Sequence, residues 1–313
     1  MTTRRAQSTG GLVLGLVGVG LLCGTTLSPA RAAEPGAPTA AAPIPSEAPV
    51  TRSLGVQAAP PVGAPQLSST QSTAVPVSSL GSQARAVVEL FTSQGCSSCP
   101  AADRVLAELK KDPTLIAVSL PITYWDYLGW KDTLADPRHT ARQTAYSHAR
   151  GDRAVYTPQV VVNGTTHVLG SDKAAIEGAV ARGRGRATAL SIPVRVTVAD
   201  GRVSVSAEAA RPAVASTGAA PVAATTGEVW LLGVTSAIEV AVGRGENTGR
   251  TIVYNNVVRR WVKLGDWTGA TRSWSVPVGE IKADKVDAVA VLVQGGSAKA
   301  PGTIFGAAFE RLN

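Results

Sequence analysis

Two cysteines two residues apart, Cys96-Ser97-Ser98-Cys99, stand between an apolar run, Ala86 to Phe91, and a helix-like run, Ala101 to Lys111. The spacing lets the thiols close into a disulfide or open into a dithiol. Such a junction dictates its surroundings: a buried strand before it, and after it a helix whose first turn carries the sulfurs. Pro100 suits that turn, where a missing N–H costs little. The free N–H groups of a helix start favour an anion, so Cys96 is the expected nucleophile. Cys99, one turn on, is expected to resolve the mixed disulfide. This chemistry requires the pair to be exposed enough to react. An inert disulfide is the alternative, but so short a loop gains little entropic stabilisation.

The chain has 313 residues and one further cysteine, Cys23. Arg4 and Arg5 followed by the apolar run Gly11 to Leu22 and then Ala30-Arg31-Ala32 read as a signal peptide, residues 1–32. An uncleaved N-terminal anchor is the alternative, and the only route to a membrane. Leu22 before Cys23 argues against lipidation, so Cys23 is expected to leave with the leader. The expected location is outside the cytoplasm, periplasmic or extracellular, where the Cys96–Cys99 pair would rest oxidised unless a reductant serves it. The formal charge of +8 loses three arginines and no acid on cleavage. No basic run interleaved with aromatics appears, which argues against nucleic acid as a partner.

Residues 33–83, rich in Ala, Pro, Ser and Thr, bury too little apolar surface to fold and read as a disordered tether. From Ala84 the pattern is regular. Ala86 to Phe91 and Leu115 to Ile122 read as strands, and Ala102, Val105, Leu106 and Leu109 share one helical face. Asp136-Pro137 opens a second helix, Gln159 to Val162 is a strand, and Asn163-Gly164 turns it into another. Ser171 caps a last helix ending at Gly183. That is the element order of a thioredoxin-like α/β domain, residues 84–187, with a long insertion before the middle helix. Residues 188–313 carry strand-like runs separated by turns and read as an antiparallel β-sandwich-like domain. With aromatics only 4% of the chain, both cores must use small aliphatic side chains.

Three further features bear on chemistry. In a thioredoxin-like fold the proline of Thr157-Pro158 is cis and faces the dithiol, so that edge would pair with a substrate; an ordinary proline before a strand is the alternative. Glu89, the lone charge of the first strand, would shuttle the Cys99 proton if it lies beneath the cysteines; otherwise it faces solvent or pairs with an arginine. Tyr124, Trp125, Tyr127 and Trp130 crowd into seven residues. They would line a substrate groove, with Tyr124 and Trp125 nearest the dithiol, or form a small satellite core. The polar stretch Gly243 to Arg250 lacks a following helix and reads as a contact loop rather than a phosphate site. The histidines His139, His148 and His167 supply no second pair of zinc ligands, so no metal is expected.

Several stretches together resemble one family: Val88 to Pro100, Tyr124 to Asp132, Tyr156-Thr157-Pro158-Gln159, Gly170-Ser171-Asp172, Val242 to Asn247 and Tyr254 to Val258. It is an exported, thioredoxin-like bacterial family catalogued as domain of unknown function twelve-twenty-three. The resemblance runs from Ala86 to Asn313 and implies that Cys96 and Cys99 match the redox pair and Pro158 the cis-proline. The family tends to carry a histidine and an acid before the Tyr-Trp-Asp run; Pro121 and Thr123 stand there in this chain. The expected function is thiol–disulfide exchange on protein or small thiol substrates, with no organic cofactor, since a dithiol carries two electrons itself. A non-catalytic scaffold module of the cell envelope is the rival, and copper handling by the two cysteines with a histidine is a third reading.

The leader assignment is checked by the intact mass of the secreted protein. The mature chain is expected to begin at Ala33, and a secreted chain that keeps Cys23 would contradict cleavage at that site.

Overall fold

A computed structural model of the protein describes residues 84–183, 188–210 and 226–312. The signal and tether assignments, residues 1–83, fall outside the described residues. Among those described, no helix is long and apolar enough to cross a membrane.

The first half alternates strands and helices. β1 (Ala86–Thr92) is buried along its whole length and leads into α1 (Cys99–Leu109). β2 (Leu115–Pro121) returns parallel to β1, with Ala86 opposite Leu115 and Thr92 opposite Pro121. A short 3-10 turn, Asp126–Leu128, precedes α2 (Pro137–Arg150). Asp136 caps α2 by accepting from the Arg138 N–H, and Gly151 ends it at φ 80°, a conformation glycine adopts freely. β3 (Gln159–Val162) pairs antiparallel with β1 and turns into β4 (Thr166–Leu169) through Asn163 and Gly164, both at positive φ as a type I′ turn requires. α3 (Lys173–Gly183) follows. Its cap is Asp172, which accepts from the Ala175 N–H, and not Ser171.

Strand periodicity sorts β1 onto two faces. Ala86, Val88 and Leu90 pack with Ala102 and Leu106 of α1 and Ile176 of α3. Val87 and Phe91 point the other way, into a core shared with Tyr146 of α2.

The second half is all strand but for one turn of helix. β5 (Val194–Ala199) and β6 (Arg202–Ala207) form a hairpin around Asp200 and Gly201. Then come β7 (Gly227–Ala241), β8 (Thr251–Trp267), β9 (Arg272–Pro277), α4 (Val278–Ile281), β10 (Ala288–Ser297) and β11 (Ala300–Arg311). The runs around Thr235-Ser236 belong to one long strand, β7, because Thr235 stays in register opposite Val257.

The expected separate sandwich-like domain is corrected here. Strands of both halves form one eight-stranded sheet in the order β11-β10-β7-β8-β2-β1-β3-β4, and β5-β6-β9 make a second, three-stranded sheet. The result is a mixed α/β architecture with a large, mostly antiparallel sheet. The reason lies in β10, whose first eight residues are all buried. Ala288, Ala290 and Leu292 enter the core shared with α2, while Val289, Val291 and Val293 pack under the smaller sheet. A strand apolar on both faces needs cover on both, which a two-layer sandwich does not provide. The seam between the halves is β2 against β8, where Ser119 lies opposite Val257. Beside it Asn256, at φ 47°, turns its side-chain amide onto the Ala117 carbonyl at 2.8 Å.

A buried polar cluster ties the halves together. Arg142 of α2 grips Glu89 of β1 with two hydrogen bonds, at 2.7 and 3.2 Å, and also donates to the Tyr146 hydroxyl and to Gln294 of β10. Tyr146 donates to Glu89 at 2.6 Å, and Gln294 donates to the Gly302 carbonyl near the start of β11. Glu89 is fully enclosed and the Arg142 side chain is 10% exposed. Removing one partner leaves an uncompensated buried charge. Arg142→Ala is therefore expected to cost on the order of 3–5 kcal/mol in urea unfolding, while the joint change Glu89→Leu with Arg142→Met should restore most of it.

Candidate functional site

Cys96 lies in the loop after β1, Cys99 is the first residue of α1, and the two form a disulfide with Cα atoms 5.4 Å apart. The loop is wound tightly: the Cys96 N–H donates to the Ser93 carbonyl and the Cys99 N–H to that of Cys96. No side chain of the first turn caps α1. The Ser97 N–H instead donates to the Glu246 carboxylate at 3.0 Å, from the loop between β7 and β8.

Pro158 follows a cis peptide bond. Its position beside α1 is fixed by Gly170, where a Cβ would stand 3.1 Å from the Pro158 Cβ and 3.2 Å from that of Ala102. The Gly170 N–H donates to the Pro158 carbonyl. Thr157 accepts from the Trp125 indole at 2.7 Å, and a Cβ on Gly95 would come within 3.1 Å of the Trp125 Cβ. Thr157 and Trp125 thus meet the cysteine loop from one side. Tyr124 is half-buried against the core of the sheet, and burial pushes its phenol above the usual range. Tyr127 stacks on Trp125 with ring centres 6.1 Å apart and is 77% exposed, so the aromatic run is part core and part surface.

The other side of the loop is closed by two segments. Trp130 donates to the Gln94 side chain at 2.8 Å, and the Asp132 carboxylate accepts from the Gln94 N–H at 2.8 Å. The tip of the β7–β8 hairpin, Gly243 to Arg250, lies over the loop. Its Asn247, fully buried, donates to the carbonyls of Gln94 and Cys96 at 2.9 and 2.8 Å. Gly243 is needed beneath Trp130, since a Cβ there would stand 2.8 Å from the ring. The stretch read from sequence as a contact loop makes its contact with the backbone of the cysteine loop, at Gln94, Cys96 and Ser97.

Two expectations need correction. The cysteines were expected to be exposed, but Cys96 is 1% and Cys99 0% exposed, because the hairpin tip and the insertion cover them. Glu89 was a candidate proton shuttle. It points to the Val87 and Phe91 face of β1, into the cluster with Arg142, whereas α1 packs on the opposite face.

The acid on the helix side is Asp103, four residues after Cys99 and so on the same face of α1. It is buried, accepts from the Thr92 hydroxyl at 3.0 Å, and its second oxygen has no hydrogen-bond partner. Burial raises its pKa to about 8, against the Thr92 hydrogen bond and with help from Asp132. It also lines a cleft of about 680 Å³ between α1 and β8, with Arg104, Arg250 and Asn255. Burial, then Asp103 and Asp132, push the Tyr254 phenol well up. Sequence reasoning passed over Asp103, although an acid in the apolar stripe of α1, one turn after a cysteine, was a usable signal. Among the described residues no three His, Cys, Asp or Glu side chains are grouped to hold a metal.

A family model described as a protein of unknown function (DUF1223) matches residues 87–294. The X-ray structure of a structural genomics target from Agrobacterium tumefaciens is similar at 31% identity and a TM-score of 0.64, over 74% of this chain and 96% of that one. HBP35 of Porphyromonas gingivalis is similar at 13% identity and a TM-score of 0.48, over 74% and 76%. None of the curated proteins matches the chain.

Asp103 makes a pH signature. Its folded pKa lies above the unfolded value, so the native state holds a proton that the unfolded chain has released between the two. The Asp103 share of stability should fall as pH rises from about 4 to about 8, by roughly 1.4 kcal/mol per unit, and level off above. Asp103→Asn keeps the acceptor for Thr92 and should lack that slope. Buried His139, its pKa lowered to about 4, gives the opposite slope below about 6.5 in both proteins, so the difference between them is the readout. Urea unfolding of both proteins across this pH range checks it.

Proposed function

The chain belongs to the DUF1223 family, and from the geometry of its own cysteine pair we propose that it is an exported thiol–disulfide oxidoreductase built on a thioredoxin-like domain. One observation carries the reading: a Cys96–Cys99 disulfide at the start of α1, with cis-Pro158 packed beside the same helix. The parallel β1–α1–β2 unit and the antiparallel β3–β4 hairpin around it support the thioredoxin-like assignment.

Cys96 is 1% exposed, so the covering hairpin tip must first move aside; in the reducing direction the Cys96 thiolate then attacks a substrate disulfide. One Cys96–substrate bond forms, the substrate S–S bond breaks, and the first substrate thiolate leaves. Cys99 then loses its proton and attacks the Cys96 sulfur, which releases the second thiolate and leaves the protein disulfide. Two electrons pass from dithiol to substrate and no further carrier is needed. To Asp103, one turn after Cys99 on the same face of α1, we assign the taking of the Cys99 proton, because a buried carboxyl with a pKa near neutrality accepts and returns a proton at physiological pH. Oxidation of a substrate dithiol is the same sequence reversed. Thr157 and Trp125 form the edge against which the substrate lies, and Tyr127 offers an exposed ring beside it.

The burial of both cysteines favours a second reading, in which the pair is structural and the molecule is a non-catalytic envelope module. Mutagenesis separates the two. Cys96→Ser should abolish exchange with a model disulfide, and Cys99→Ser should accumulate mixed disulfides visible by mass under non-reducing conditions. Normal turnover by either variant would overturn the mechanism. A wild-type pair that resists mild reductant and alkylation until the protein unfolds would support the structural reading.

A further inference from the structure

The redox reading leaves Glu246 unexplained. It stands 149 residues from Ser97 in sequence, yet its carboxylate accepts the Ser97 N–H at 3.0 Å. Ser97 follows Cys96 directly and lies just before α1. The amides of a helix start are the groups that stabilise a thiolate there. The Ser97 N–H lies one residue before the Ser98 N-cap, next to those amides and to Cys96, and is already engaged by an anion brought from another part of the chain. That anion is held in register: Asn247, the next residue, is buried and fastened to the carbonyls of Gln94 and Cys96.

Resting on the redox reading, we propose that Glu246 regulates the dithiol: its carboxylate holds the amide next to Cys96, just before α1, keeps that thiol protonated, and biases the pair toward the disulfide. Two effects act in the same direction. The Ser97 amide is unavailable to sulfur while Glu246 holds it, and the negative charge of Glu246 repels a second one forming on the neighbouring residue. The hydrogen bond from Ser97 lowers the Glu246 pKa, so the carboxylate is charged in neutral solution. The other charged or titratable groups around the loop include Asp103 and Arg104 of α1, Asp126 and Asp132 of the insertion, Tyr254 of β8 and Arg250 of the hairpin tip. They form a constant background when only Glu246 changes.

The hairpin tip then has a task of its own. Lifting the tip would uncover Cys96 and remove Glu246 together, so access and thiolate formation would rise in one movement. A substrate that displaces the tip would thereby activate the nucleophile it reaches.

Glu246→Gln is the discriminating variant, since it keeps a side-chain oxygen for the Ser97 N–H and removes only the charge. The mature chain, beginning at Ala33 and so without Cys23, is reduced and its thiolate followed by ultraviolet absorbance across pH, together with the Glu246→Gln variant. The first midpoint of the pair is expected to fall by about half a unit to one unit in the variant at low salt. The gap should shrink in about 1 M salt, because Glu246 is solvent-exposed and its field is screened. Equal midpoints, or a higher one in the variant, would overturn the proposal. The readout does not require turnover. A shifted midpoint in a protein that exchanges with no disulfide would leave the Glu246 effect standing and remove the redox function. Exchange with an unshifted midpoint would do the reverse.

Discussion

Asn247 joins two parts of the molecule that the sequence keeps about half the chain apart, by hydrogen bonds to the carbonyls of Gln94 and Cys96. Those bonds depend on everything behind them. The tip that carries Asn247 reaches the cysteine loop only because β8 lies alongside β2, which makes the strands of the second half a continuation of the first sheet. A separate β domain on a flexible link would not hold a side-chain amide in place. The enclosure of the disulfide therefore follows from the sheet topology rather than from the cysteine motif. Trp130 and Asp132 complete it from the insertion before α2, through the side chain and the backbone of Gln94.

Two buried acids meet opposite fates in this architecture, and the difference follows from their partners. Glu89 is matched by a bidentate arginine and a phenol, so its charge is compensated inside the core. Its contribution is to lock β1, α2 and β10 in one arrangement, since a paired buried charge rarely adds much net stability over an apolar substitute. Among the described residues Asp103 has one hydroxyl partner and an open oxygen, with no cation bonded to it. Desolvation then dominates and the neutral acid is favoured up to about pH 8. That raised pKa, one turn after Cys99 on the same helix, is what supports the proton-transfer role proposed for Asp103.

The local signals of the first half were legible because each rests on a few adjacent residues. The cysteine spacing, the Asp136-Pro137 helix start and the Asn163-Gly164 turn each specify backbone geometry without help from afar. Pro158 was legible through the resemblance to a fold, and its cis bond stands where that expectation put it. The second half was legible as strands but not as their assembly. Nothing in a run such as Ala288 to Val293 says which neighbours will cover its two faces, since an all-apolar stretch has no period to read. Glu89 misled for a related reason: one lone charge in a strand does not reveal which face it takes until the helix positions are known. Asp103 and Asn247 went unread because their meaning is contact over distance, visible only once α1 and the hairpin tip share one loop.

The central claim is that an enclosed disulfide at the start of α1 is nonetheless a working redox pair. Equilibration of the folded protein with defined ratios of reduced and oxidised glutathione, followed by acid quenching and mass analysis, tests it most directly. A reversible, single-step conversion between Cys96–Cys99 disulfide and dithiol, reached without loss of native structure, is the predicted result. A pair that stays oxidised at every ratio, and yields only when the protein is unfolded, would contradict the account.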